Sequence, residues 1–163
     1  MSDLTTIRGA IISRLAQAGL VPDGHIWDSP TVPVEDLALP AIAVTTGRSE
    51  ARRLGGAVYR VETEMVIQAT ATEQTDAQIA AAVDTLEAGI LQALLSREIA
   101  GVEQIAWQST HRVYAAKDYR YGAALITCMI QYTEAHDATD GAMVLERVRT
   151  DVAERPTGWE IGG

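Results

Sequence analysis

Tyr59-Arg60-Val61-Glu62-Thr63-Glu64-Met65-Val66-Ile67-Gln68-Ala69 is the stretch whose reading decides the fold. Tyr59, Val61, Thr63, Met65, Ile67 and Ala69 alternate with Arg60, Glu62, Glu64 and Gln68. That period of two belongs to a β-strand with one face in a core and the other in water. A sheet covered on one face needs neighbouring strands and a layer of helix over its apolar side.

The neighbours can be found by working outward. Upstream, Gly47, Gly55 and Gly56 with Arg48, Arg52 and Arg53 read as a flexible basic loop over 47–57. Before it, Ala41-Ile42-Ala43-Val44-Thr45-Thr46 is short, apolar and partly β-branched, as expected of a central strand covered on both faces. The segment from Asp28-Ser29-Pro30 through Pro33 to Pro40 cannot be a regular helix and reads as an ordered surface loop, preceded by a short apolar piece, Ile26-Trp27. At the start of the chain Leu4, Ile7, Ile11, Leu15 and Ala18 recur at helical spacing, with Ser2 or Asp3 as the cap and Gly19 as the stop.

Downstream, Thr75 with Gln78 forms a capping box for a second helix, and Ile79, Val83, Leu86, Ile90 and Leu94 make its apolar stripe through Ser96. Gly101 breaks to a strand over about 105–115, and Lys117-Asp118 turns the chain into a final strand, Tyr119 to Thr133. The expected architecture is α+β: a mostly antiparallel sheet of about four or five strands with two helices on one face, in a unit spanning 1–134. Residues 135–163 change character, from a polar linker to a Pro- and Gly-containing arm ending near Trp159, and form a C-terminal extension.

Composition narrows the function classes. At 163 residues, 47% hydrophobic and 21% charged, the chain suits one ordinary domain with a real core. A net charge of −9 opposes tight sequence-independent binding to nucleic acid, which needs Lys and Arg to displace counterions. An acidic wall past which DNA slides without adhering is compatible with it. One cysteine, Cys128, forms no intramolecular disulfide and points to a reducing compartment. Residues 1–20 carry no signal-peptide pattern, and the longest uncharged stretch, Tyr121 to Thr133, falls short of the roughly 20 residues of a membrane helix. The expectation is a soluble protein made in the cytoplasm.

The sequence holds no GxxxxGK[ST], GxGxxG, HExxH, GxSxG or CxxC motif, so no catalytic, cofactor-binding or metal-binding residue is assigned. His25 and Asp28 stand three apart but lack a third and fourth ligand, and His111 and His136 share no motif with them. Cys128 has no basic neighbour and reads as a small core residue. Glu62 and Glu64 share the wet face of their strand and read as a solvated pair, or one facing a partner's basic residues, rather than as an acid–base couple. Two clusters suggest protein contacts instead. Arg48, Arg52 and Arg53 can clamp an acidic surface, a copy of this chain being a natural acceptor. Arg112, Tyr114, Tyr119, Arg120 and Tyr121, with Lys117, gather residue types enriched at interfaces, though they equally suit a cross-strand ladder.

The ordered set of features resembles the tail terminator, or tail-completion, proteins of long-tailed phages. The likeness rests on Ile7-Arg8-x-Ala10-Ile11, Ile26-Trp27-Asp28-Ser29-Pro30, Leu39-Pro40-Ala41-Ile42-Ala43-Val44, Tyr59-Arg60-Val61-Glu62, Ile90-x-x-Ala93-Leu94-Leu95, and Gly122-Ala123-Ala124-Leu125 to Tyr132-Thr133. It covers about residues 5–134. It implies a non-enzymatic α/β subunit of the virion, built into a hexameric ring on the head-proximal end of the tail tube. The implied partners are further copies, the major tail tube protein and the head–tail connector, with DNA passing through the pore and no cofactor or membrane involved. Trp159 would anchor the C-terminal arm to a neighbour. A neck subunit is the nearest alternative, followed by a monomeric ligand-binding domain or a hydrolase without familiar motifs.

Overall fold

The computed structural model describes residues 3–28, 39–115 and 120–136. Its elements are α1 (Leu4–Gln17), β1 (Ile26–Trp27), β2 (Ala41–Gly55), β3 (Val58–Ala71), α2 (Asp76–Leu95), β4 (Gln104–Ala115) and β5 (Tyr121–Ala135). The strands form one sheet in the order β1-β2-β3-β5-β4. β1 runs parallel to β2 and every other pair is antiparallel. The expected α+β class, strand number and hairpin of β4 with β5 are all present.

Local chemistry starts both helices. Asp3 accepts the Thr6 amide at 2.8 Å, and that bond holds its carboxyl below the usual aspartate range. At α2, Thr75 Oγ1 accepts the Gln78 amide while Gln78 Oε1 accepts the Thr75 amide, both at 3.2 Å, completing the capping box. The far end of α2 is closed from outside the helix. Arg14 of α1 donates through Nη1 to the Ala93 carbonyl (3.1 Å) and through Nη2 to that of Glu98 (2.5 Å), placing a cation on carbonyls with no intrahelical partner.

β3 is the spine of the sheet. It pairs with β5 over its whole length, from Val58 opposite Ala135 to Ala71 opposite Gly122. On one face Met65 meets Cys128, Ile67 meets Ile126 and Ala69 meets Ala124, all fully buried. Ile7, Ile11 and Leu15 of α1 and Ile79, Val83, Leu86, Ile90 and Leu94 of α2 close over that face as one core. Each such side chain contributes about 1.5–3 kcal/mol on burial. By length and composition alone α2 could cross a membrane; here its stripe lies on the sheet. Leu20 packs against Gly89 of that helix, so a Cβ there would push the Leu20 methyls aside.

Two expectations are corrected. Residues 47–57 are not a loop: β2 continues through a bulge between Thr46 and Ser49 and runs to Gly55, pairing Glu50 with Glu62 and Arg52 with Arg60. The connection shrinks to Gly56-Ala57, where Gly56 takes φ +56°. Glycines and arginines suggest a loop, but a strand already committed opposite supplies ladder bonds that outweigh weak local preference. β2 is also not central. It has only the two-residue β1 beyond it, and no helix among the described residues covers its second face, so Ala43 and Thr45 are half-buried. The 30–38 loop, the 117–118 turn, Tyr119 and residues 137–163 with Trp159 lie outside the described residues.

Candidate assembly surfaces

The sheet ends in two edges of different make-up. On the β2 side, Ile42 donates its amide to the His25 carbonyl at 2.9 Å, so its backbone faces away from β3. The same holds at every second residue, hence at Val44 and Thr46 and, past the bulge, at Ser49, Ala51 and Arg53. β1 engages only Ile42 and Ala43, leaving residues 44–55 an open edge among the described residues.

Arg48, Arg52 and Arg53 stand on that edge, all exposed. Arg48 makes a surface pair with Glu50 at 3.0 Å, and Arg53 Nε donates to the Gly56 carbonyl at 2.9 Å. Arg52 and Arg53 have no carboxylate partner among the described residues. Arg52 lies directly opposite Arg60, and Glu50 opposite Glu62, two like-charge rungs that cost stability. Arg60 finds partial relief at Glu103, 3.7 Å away.

On the other side β4 is open along Gln104–Ala115 among the described residues. Trp107, Arg112 and Tyr114 point to the helix-bearing face and, with Asp84, Glu87 and Leu91 of α2, line an open groove of about 540 Å³. Arg112 sits between two carboxylates, hydrogen-bonded to Glu87 and 3.5 Å from Asp84. The Glu87 side chain is only 7% exposed against 42% for Arg112, so Arg112 first serves to neutralise a buried charge. Tyr114 lies over Gly122, where a Cβ would come within 2.8 Å of its Cδ1 and 2.7 Å of Ile79 Cγ2.

Arg120 pairs with Asp76 at the start of α2, and its carbonyl accepts the Thr72 hydroxyl at 2.5 Å, which ties the hairpin to the helix. Tyr121 is half-buried opposite Ala115. The structure therefore separates the two predicted clusters: the arginines occupy the β2 edge, Arg112 and Tyr114 lie on β4 at the other flank, and Arg120 and Tyr121 stand at the start of β5 beside it, with β3 between.

Sequence reasoning passed over Trp107 and Leu95. The large apolar side chains that stand exposed are Leu54, Leu95, Trp107, Val113 and Tyr114, between 41% and 51% accessible. Leu54 is on the β2 flank; Leu95 ends α2 and the other three lie along β4. Alternation in β4 is broken by a bulge between Trp107 and Ser109, so a period-two reading there does not show which side is bare.

The chemical inventory is plain. Among the described residues no three His, Cys, Asp or Glu side chains gather as a metal site. His25 Nδ1 is bonded to the Pro40 carbonyl at 2.9 Å, and Asp28 pairs with Arg8 at 2.6 Å. Burial pushes the Cys128 thiol up to about 11, so it stays protonated at neutral pH. What the two flanks offer is unpaired backbone, exposed aromatics and charge.

No protein-family model matches the chain, and no curated protein does. Among solved structures it is similar to a chain of the "Virion of native gene transfer agent (GTA) particle", at 13% identity and a TM-score of 0.47. That match covers 77% of this chain and 97% of the other, a likeness that by itself assigns no role.

Proposed function

We propose that this chain is a structural, non-enzymatic virion subunit of a phage-like particle. It forms a ring that caps the head-proximal end of the tail tube, stops tube growth and meets the head connector. One observation carries the reading: among the described residues a single sheet ends in two open, unlike edges, and the exposed large apolar residues lie on those two flanks. A molecule of this design adds copies head to tail, and a head-to-tail contact closes into a ring where the rotation per subunit permits. The order of motifs in the sequence supports the terminator role within that class. The acidic balance suits a pore through which DNA passes without adhering.

The test is mass photometry and negative-stain microscopy of the full chain, alone and with tail tubes of its own particle. Rings seated on one tube end, and tubes that stop lengthening, are expected. Rings that bind connectors but ignore tubes would make it a neck subunit; a protein that stays monomeric and leaves tube growth unchanged would defeat the reading.

A further inference from the structure

The structure places the subunit interface at the sheet edges: we propose that residues 44–55 of one copy pair antiparallel with β4 of the next, making the sheets continuous. This rests on the ring reading above and adds where the contact lies.

Three observations converge. The first is direction. β2, β3, β5 and β4 alternate strictly, each antiparallel to its neighbour. Rotation about an axis along the strands therefore brings an outer β4 beside an outer β2 of opposite sense, the pairing with straight ladder bonds.

The second is stagger. Across the sheet, Val44 is level with Ile67, Ile126 and Thr110, while Ser49 is level with Thr63, Ile130 and Ile105. The middle of the 44–55 edge thus lies level with about residue 105, and the middle of β4 with about 109. The offset is about four residues, or roughly 14 Å at the rise of a strand. Spread over four strands it is about one residue per strand, the shear of a closed barrel with strands tilted about 36°. Full overlap of the two edges therefore asks for a shift of the size that a closed, tilted sheet has.

The third is side-chain fit in that register. Arg53 falls beside Ile105, Ala51 beside Trp107, Ser49 beside Thr110 and Thr46 beside Arg112, all on the helix-bearing face. A small residue thus meets the half-exposed indole, and the two bulges fall in the same stretch. Arg52 and Arg53 arrive at the end of β4 where Glu98 and Glu103 stand, while α2 above the groove carries Asp76, Asp84 and Glu87 and no basic residue. A long open edge carrying the exposed Trp107, Val113 and Tyr114 is a liability unless something covers it.

The experiment is disulfide trapping with Ser49→Cys and Thr110→Cys in one chain, at the protein concentration that gives rings or on tube ends. Within one subunit these positions are three strand spacings apart, roughly 14 Å, beyond the reach of a disulfide, and Cys128 is buried. Mild oxidation should give a covalent ladder rising past the dimer, and either single variant should give none. In parallel, Ala51→Pro removes an amide that faces away from β3; its melting temperature should stay near that of the parent while ring yield falls at least tenfold. Rings that form without the ladder, or a ladder that stops at the dimer, overturn this interface but leave the ring function standing. Absence of rings in the parent protein overturns both.

Discussion

Removing the Arg112 guanidinium while keeping its apolar bulk, as in Arg112→Met, tests whether that residue holds the fold or waits for a partner. Glu87 is nearly enclosed, and its hydrogen bond to Arg112 and the nearby Asp84–Arg112 pair form one charge cluster. Breaking a fully buried pair from one side costs about 3–5 kcal/mol, because a carboxylate remains without a partner. Here Arg112 is 42% exposed, so water enters once it is gone, and the cost falls to about 2 kcal/mol. For a domain of this size that is a drop of roughly 5–8 °C in Tm, read by calorimetry. Glu87→Leu combined with Arg112→Met removes both charges and should cost about 1 kcal/mol, leaving a coupling of at least about 1 kcal/mol in the double-mutant cycle. Additive losses, or a single-variant cost under about 0.5 kcal/mol, would refute the assignment and return Arg112 to the surface as a free interface cation.

Ile126→Ala, at the centre of β5 opposite Ile67, should cost about 3 kcal/mol in denaturant unfolding. Gly122→Val drives methyls into Ile79 and Tyr114 and should lower the melting temperature by an amount equivalent to about 2 kcal/mol, while freeing the Tyr114 ring to a fluorescence quencher. For Cys128, the folded thiol titrates near 11 against 9.0 for the free group, so the folded state holds the proton more tightly. Its contribution is whole below pH 9 and is lost as pH rises to about 11, up to about 2 kcal/mol, and Cys128→Val should remove that part of the alkaline decline. Deleting Gly47 closes the β2 bulge without changing which face each side chain takes; the monomer should fold, and the ring should change size or fail to close in mass photometry.

Much of the fold was legible because its signals are local and strong. The alternation from Tyr59 to Ala69, the Thr75–Gln78 capping box and the stripe from Ile79 to Leu94 each answer to one neighbour or one face. What escaped is set at long range. Residues 47–55 are strand because β3 lies beside them, although Gly47, Arg48, Arg52 and Arg53 favour nothing extended by themselves. Arg14 lies off the apolar stripe of α1 and closes the far end of α2, which nothing in residues 4–17 announces. Glu87 falls among the alanines and leucines of α2 as an ordinary helix charge, and only the arrival of β4 with Arg112 buries it. Of the candidate surface, the residue types were readable and their separation onto opposite flanks was not, because strand order is invisible until β5 inserts between β3 and β4.

That insertion is the step on which the functional argument turns. Had β4 paired beside β3, the aromatic strand would lie inside the sheet, β5 would be the outer strand, and β3 would lose the partner that spans its whole length. With β5 inside, the apolar alternation of β3 and β5 is consumed in the core, and the irregular strands, each with a bulge, are left at the rims. Bulges at rims add local twist, and twist at a contact fixes the rotation from one copy to the next. A head-to-tail contact without a fixed rotation gives filaments; one with it gives a ring of set size. The arginine rung of the β2 arm acts in the same direction. Arg52 over Arg60 is costly in an isolated subunit, and on the proposed pairing the carboxylates of Glu98 and Glu103 of the next copy would offset that cost.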